Sequence, residues 1–217
     1  MIDWTQINSV FLDLDGTLLD LHYDNHFWKE YVPQCFAEKH QLELTEAHKQ
    51  LKQKYTEVYG SLKWYSVDYW SQELDLDIGA LKQSVHHKIA VRPYVEEFLE
   101  ALHMAGKRVV LVTNAHPVSI EVKMHKTRLD RFFNHIITSH ELHAPKEEAE
   151  FWQKLERIEV VDKPATLFID DNFAVLDAAK NYGIAHLLAI RQPDSQAEEV
   201  THRHYRLLNS FADIMPD

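Results

Sequence analysis

The chain has 217 residues, 45% of them hydrophobic and 26% charged, with a formal net charge of −11 when histidine is neutral. That supports a sizeable core in one domain, or in one domain with a smaller insertion, and it argues against nucleic-acid or membrane partners. The single cysteine, Cys35, excludes an intrachain disulfide, and with neither a basic-then-apolar leader nor a spanning apolar run the expected setting is the cytoplasm.

The first element is "SVFLDLD" (9–15), an apolar strand that ends in charge. The next 69 residues, 21–89, carry no strand signal. Their apolar residues recur at helical spacing: Phe27, Trp28, Tyr31, Val32, Cys35 and Phe36, interrupted by Pro33, then Leu51, Tyr55, Val58 and Tyr59. Such a stretch is too long for a loop and too apolar for a disordered linker, so it reads as a helical insertion. A helix follows between Pro93 and Gly106, with Val95, Phe98, Leu99 and Leu102 on one side. From there strands (107–114, 135–139, 165–170, 186–190) alternate with helices (117–128, 147–158, 172–182). The tail beyond Gln192 reads as a terminal helix or docking segment. Five strands in alternation predict an α/β fold, a doubly wound parallel sheet built from residues 1–20 and 90–217, with residues 21–89 as an all-helical cap.

In such a sheet the carboxyl ends of the strands share one edge. Asp13 and Asp15, Thr113 and Asn114, and Asp170 and Asp171 each follow an apolar run, and Lys146 comes shortly after the strand at 135–139. Taken singly, Asp-Leu-Asp-Gly is a common turn, and a paired Asp often heads a helix. Together, several carboxylates suit a hard cation, best Mg²⁺, with phosphate as its other ligand. A lysine and a threonine hydroxyl would hold the remaining phosphate oxygens. One carboxylate could attack phosphorus, and a second, two residues on, could serve as acid and then base.

The motifs "DLDGT" (13–17), "VTN" (112–114), "PK" (145–146) and "IDDN" (169–172) resemble the four signature motifs of the haloacid dehalogenase superfamily, in order and along the whole chain. The resemblance implies Asp13 as nucleophile and metal ligand. It implies Asp15 as general acid/base, with its backbone carbonyl on the metal. Thr113, Asn114 and Lys146 would bind phosphate, and Asp171, with Asp170 directly or through water, would complete a Mg²⁺ site. The family's dehalogenases do not have the second aspartate of the first motif, so Asp15 and the Asp170–Asp171 pair favour phosphoryl transfer. "LLDLHYDNHFW" and "LKWYSVDYWSQELDLDI" further resemble the bacterial GMP/IMP nucleotidase group, implying a purine nucleoside monophosphate as the small-molecule phosphomonoester substrate. A sugar-phosphate phosphatase or phosphomutase, or a non-catalytic binding module, are the alternatives.

A flat base would need an aromatic partner from the cap. Most of its rings should fill the cap's own core; Trp64 and Tyr65 are the expected ligand-facing pair. His22 and His116 flank the first two motifs and could reach ribose or leaving group. Arg92 is a phosphate contact or a structural ion pair, and Asp20 a hinge or capping residue. A monomer or weak dimer is expected.

Overall fold

The computed structural model describes residues 2–216. Six parallel strands form one sheet: β1 (Ser9–Leu12), β2 (Arg108–Thr113), β3 (His135–Thr138), β4 (Thr166–Asp170), β5 (His186–Ile190) and β6 (Arg206–Leu208), in the order β3-β2-β1-β4-β5-β6. β1 lies between β2 and β4, with Leu12 opposite Leu111 on one side and Ile169 on the other. All four of its residues are buried, as a central parallel strand requires.

Alternation along the strands divides the core in two. Val10, Leu12, Val109, Leu111, Leu167 and Ile169 face one side, where they meet the helix Val95–Met104 and an apolar cluster that continues into residues 21–89. Phe11, Val110, Val112 and Phe168 face the other, against the helices Ala149–Leu155 and Phe173–Tyr182. Helices on both faces make the sheet doubly wound, as the alternation predicts.

Two expectations need correction. The tail is not a terminal helix: Arg206–Leu208 adds a sixth strand beside β5, followed by a single 3₁₀ turn at Phe211–Ile214. The strand is only three residues long, and periodicity over so short a run carries no signal. The helix expected over 147–158 is also shorter, Ala149–Leu155, and Ile158 is exposed.

Residues 21–89 are helical throughout their regular elements. Pro33 does not break the first of them. A π-helical stretch, Phe27–Tyr31, joins His22–His26 to Val32–His40; the Val32 amide donates five residues back to Phe27 O, and Pro33, with no amide to give, follows directly on this wider turn. Cys35 lies half-buried on this last helix. Trp28, Tyr55, Trp64 and Trp70 pack on one another in largely edge-on geometry, with Trp70 fully buried. No helix among the described residues is long and apolar enough to cross a membrane.

Candidate active site

The strand order reverses its direction of growth between β1 and β4, and ligands of open α/β sheets bind outside the carboxyl ends at such a point. Asp13 follows β1 directly, and its amide donates to Ile169 O of β4 at 3.0 Å. Asp170 ends β4, and Asp171 follows it. Carboxylate oxygens of Asp13, Asp170 and Asp171 lie within 4.8 Å of one another.

Among the described residues, Lys146 is the cation that pairs directly with this group. Its ammonium donates to Asp13 Oδ1 at 2.5 Å, Asp170 Oδ2 at 2.6 Å and Val112 O at 3.1 Å, and its side chain is 2% exposed. Two buried carboxylates hold its proton tightly against the cost of burial. The loop that carries Lys146 is fixed at both ends of the residue: its amide donates to Asn114 Oδ1 at 2.9 Å, and its carbonyl accepts from Trp152 Nε1 at 2.8 Å.

One ammonium cannot neutralise three carboxylates. Burial raises Asp13 from the usual 3.8 to about 6, with Lys146 opposing and Asp170 adding to the rise. Burial and then the neighbouring Asp170 and Asp13 charges push Asp171 well above the ordinary range. Asp170 is raised by burial too, although Lys146 and the Asn172 amide, 2.8 Å from its Oδ1, favour the charge. Such an excess of oxygen ligands around one point is the donor set of a hard divalent cation, and the residues fit Mg²⁺. The backbone makes room for the Asp171 carboxylate. Gly16 has φ +86°, and a Cβ there would lie 2.5 Å from Asp171 Oδ2.

Asp15 stands apart from that trio. Its carboxylate is 2.6 Å from Lys123 Nζ, and burial raises it to about 6 even though Lys123 opposes the shift. Thr113 ends β2, buried, with its hydroxyl accepting from the Ala115 amide at 3.0 Å. Asn114 is a bracket rather than a free ligand: Oδ1 holds Lys146, and Nδ2 donates to Glu147 Oε2 at 2.9 Å.

Of the residues expected to face substrate, Tyr65 comes nearest. Its hydroxyl donates to Glu147 Oε1 at 2.6 Å, next to Lys146, and the same oxygen accepts from Asn172 Nδ2 at 3.3 Å. Trp64 does not join the site; its ring packs on Tyr55, Tyr59 and Trp70. His116 caps the helix Pro117–Thr127, with its Nδ1 accepting from the Val118 amide and its Nε2 3.6 Å from Asp68 of the helical segment. His22 is 3.5 Å from Asp194. Arg92 donates to the carbonyls of Gln192 and Pro193, and Asp20 accepts from the amides of His22 and Ser195, so these two join loops.

Sequence reading missed Glu147, Lys123, Asp24 and Lys82. Glu147 gathers Tyr65, Asn114 and Asn172. Lys123 left a trace in the sequence, since it shares the buried face of its helix with Ile120 and Met124, where a lysine needs a buried anion.

A model of haloacid dehalogenase-like hydrolases matches residues 7–183. The chain belongs to that family. It is 38% identical over 215 residues to the GMP/IMP nucleotidase YrfG of Escherichia coli (strain K12), covering 99% of this chain and 97% of the relative. The pyrophosphatase PpaX of Bacillus mycoides (strain KBAB4) is 23% identical over 97% of this chain and 96% of its own. Among solved structures, an HAD phosphatase from Thermococcus onnurineus superposes with a TM-score of 0.79 at 21% identity, over 96% of both chains. That superposition supports the fold read from the strand order, and it extends through the helical segment.

Proposed function

We propose that this hydrolase cleaves purine nucleoside 5′-monophosphates, GMP and IMP among them, to nucleoside and phosphate, using Mg²⁺ and an aspartyl-phosphate on Asp13. It is a phosphoric monoester hydrolase; the observation that carries the mechanism is Asp13 held at 2.5 Å by Lys146, in reach of Asp170 and Asp171. The nucleotide reading rests on the near full-length relation to a GMP/IMP nucleotidase.

In this reading Asp13, Asp170 and Asp171 hold Mg²⁺, with the Asp15 carbonyl as a further ligand. When bound, the ion neutralises phosphate charge and replaces part of the cation deficit among the carboxylates. Lys146 and Thr113 orient the phosphoryl oxygens. An Asp13 oxygen bonds to phosphorus as the bond to the 5′-oxygen breaks, and the Asp15 carboxyl gives that oxygen its proton. Asp15, now ionised, takes a proton from water as the water oxygen displaces Asp13 from phosphorus. Residues 21–89 act as a cap that excludes other water, with Tyr65 on Glu147 as its contact beside the site.

A panel of GMP, IMP, AMP and sugar phosphates with Mg²⁺, run on the wild type and Asp13→Asn, tests this. We expect the highest kcat/KM on GMP and IMP, and loss of turnover in a folded Asp13→Asn protein. Higher kcat/KM on sugar phosphates would replace the nucleotide reading with a sugar-phosphate phosphatase. Near-normal turnover by Asp13→Asn would remove the nucleophile.

A further inference from the structure

Four charges, two of them buried lysines, alternate in a line that starts at Asp15 of the first signature motif and leaves the motifs there. Lys123 Nζ lies 2.6 Å from Asp15 Oδ1 and 2.7 Å from Asp24 Oδ2. Asp24 Oδ1 in turn accepts from Lys82 Nζ at 3.0 Å. Both lysines are almost wholly buried, at 1% and 3% exposed. Lys82 also stands 4.5 Å from the centroid of the Phe27 ring, and its carbonyl accepts from the Tyr23 hydroxyl at 3.0 Å. The line joins three parts of the molecule. Asp15 is on the loop after β1, Lys123 on the helix Pro117–Thr127 after β2, and Asp24 and Lys82 on helices of the segment 21–89.

The ends of the line differ. Asp24 uses both oxygens on lysines, and Lys123 and Lys82 together outweigh its burial and hold it at about 2. Asp15 uses one. Its Oδ1 is sealed from solvent 2.6 Å from Lys123 Nζ, an ion pair without hydrogen-bond geometry, whereas its side chain as a whole is 23% exposed, which leaves Oδ2 as the oxygen that faces outward. A buried cation beside one oxygen, with the other presented, favours one rotation of the carboxylate about its last bond. That is the condition for delivering a proton along one direction.

We infer that Lys123 is the positioning residue for Asp15, and that Asp24, braced by Lys82, makes its placement depend on the seating of the helical segment 21–89. This rests on the reading of Asp15 as the proton donor. Withdrawal of the segment would take Asp24, with Lys82 attached, from Lys123, and with it the second carboxylate that fixes that lysine. Asp15 would then be fully oriented only with the helical segment in place.

Leaving-group dependence separates positioning from a merely structural role. The nucleoside 5′-oxygen needs a proton as it departs, and 4-nitrophenolate does not. We expect Lys123→Gln to lower the ratio of kcat/KM on GMP to kcat/KM on 4-nitrophenyl phosphate at least tenfold. Asp24→Asn should lower it at least threefold. A structural loss would reduce both substrates by one factor and leave the ratio alone. Asp15→Asn is measured beside them as the reference for losing the donor. If Asp15→Asn drops the ratio while Lys123→Gln and Asp24→Asn stay within twofold of wild type, the inference is overturned and the reading of Asp15 stands. If Asp15→Asn itself leaves the ratio unchanged, the donor assignment fails, and the inference with it. Should Lys123→Gln not fold, Asp24→Asn decides alone, since it keeps the lysine and nearly the shape of the site.

Discussion

At the scale of the residue, the candidate site is an exercise in too many carboxylates for its ammonium groups. Lys146 answers for Asp13 and Asp170 at once, so its removal would leave both without a cation. Breaking a buried ion pair from one side costs roughly 3–5 kcal/mol. We therefore expect Lys146→Met to lose that much unfolding free energy in urea with chelator present, and to recover part of it with Mg²⁺. The proton balance points the same way. Asp13 and Asp15 lie near about 6 in the folded chain against the usual 3.8. The folded state thus binds their protons more tightly than the unfolded state. Their contribution to stability is complete below about pH 4 and is lost as pH rises through about 6. Mg²⁺ needs the ionised carboxylates, so its binding should tighten over the same interval. Calorimetric titration should give a Kd for Mg²⁺ at pH 7.5 at least tenfold below that at pH 5.5; equal values would argue against the Asp13, Asp170 and Asp171 carboxylates as its ligands. Much of this was legible beforehand. Asp13, Lys146, Asp170 and Asp171 sit where apolar runs end, and a parallel sheet gathers such ends. Asp24 and Lys82 could not be found that way. They are 58 residues apart on amphipathic helices, where one acid and one lysine look like ordinary solvated face until packing closes over them.

Elements bring the site's second tier of support. The short helix Leu62–Tyr65 ends with the Tyr65 hydroxyl on Glu147, and Glu147 also holds the side chains of Asn114 and Asn172. A hydrogen bond to a charged group contributes about 1.5–3 kcal/mol. Tyr65→Phe should raise KM for GMP by roughly tenfold, with a smaller change in kcat, and amides of residues 62–65 should exchange hydrogen faster. Unchanged KM and exchange would show that this contact does not hold the helix to the sheet edge. Length explains which elements could be foreseen. β2, β4 and β5 are strands of five or six residues built on the runs VVLV, LFI and LLAI, and the helix at 173–182 repeats its apolar face over more than two turns. β6 is three residues with Arg206 exposed, and its place is set by the neighbouring Leu188–Ile190 edge rather than by any pattern of its own. Trp64 went to the aromatic cluster for a related reason. A run of closely spaced rings tells where rings are dense, and which of them turns inward is decided by the partners, here Tyr55, Tyr59 and Trp70.

Over the whole molecule, charge and mobility set the terms for an anionic substrate. A net charge of −11 repels a phosphate ester at long range, and on the proposed reading Lys146 and Mg²⁺ at the sheet edge would attract it close by. Salt shortens the reach of the repulsion more than that of the buried site. At saturating Mg²⁺, kcat/KM for GMP should therefore rise as ionic strength goes from about 0.01 M to about 0.15 M, and a fall would mean that local attraction governs capture. Whether the helical segment moves as substrate enters bears on the same step, and the molecule carries its own means of testing it. Cys35 is the sole thiol of the chain and lies half-buried on the helix Val32–His40. Burial raises its pKa, so coupling to a thiol-reactive dye calls for alkaline buffer. One fluorophore could then be attached without any mutation, at a single known point on the helical segment. Its emission during rapid mixing with nucleotide would time the cap against the chemistry in the native sequence.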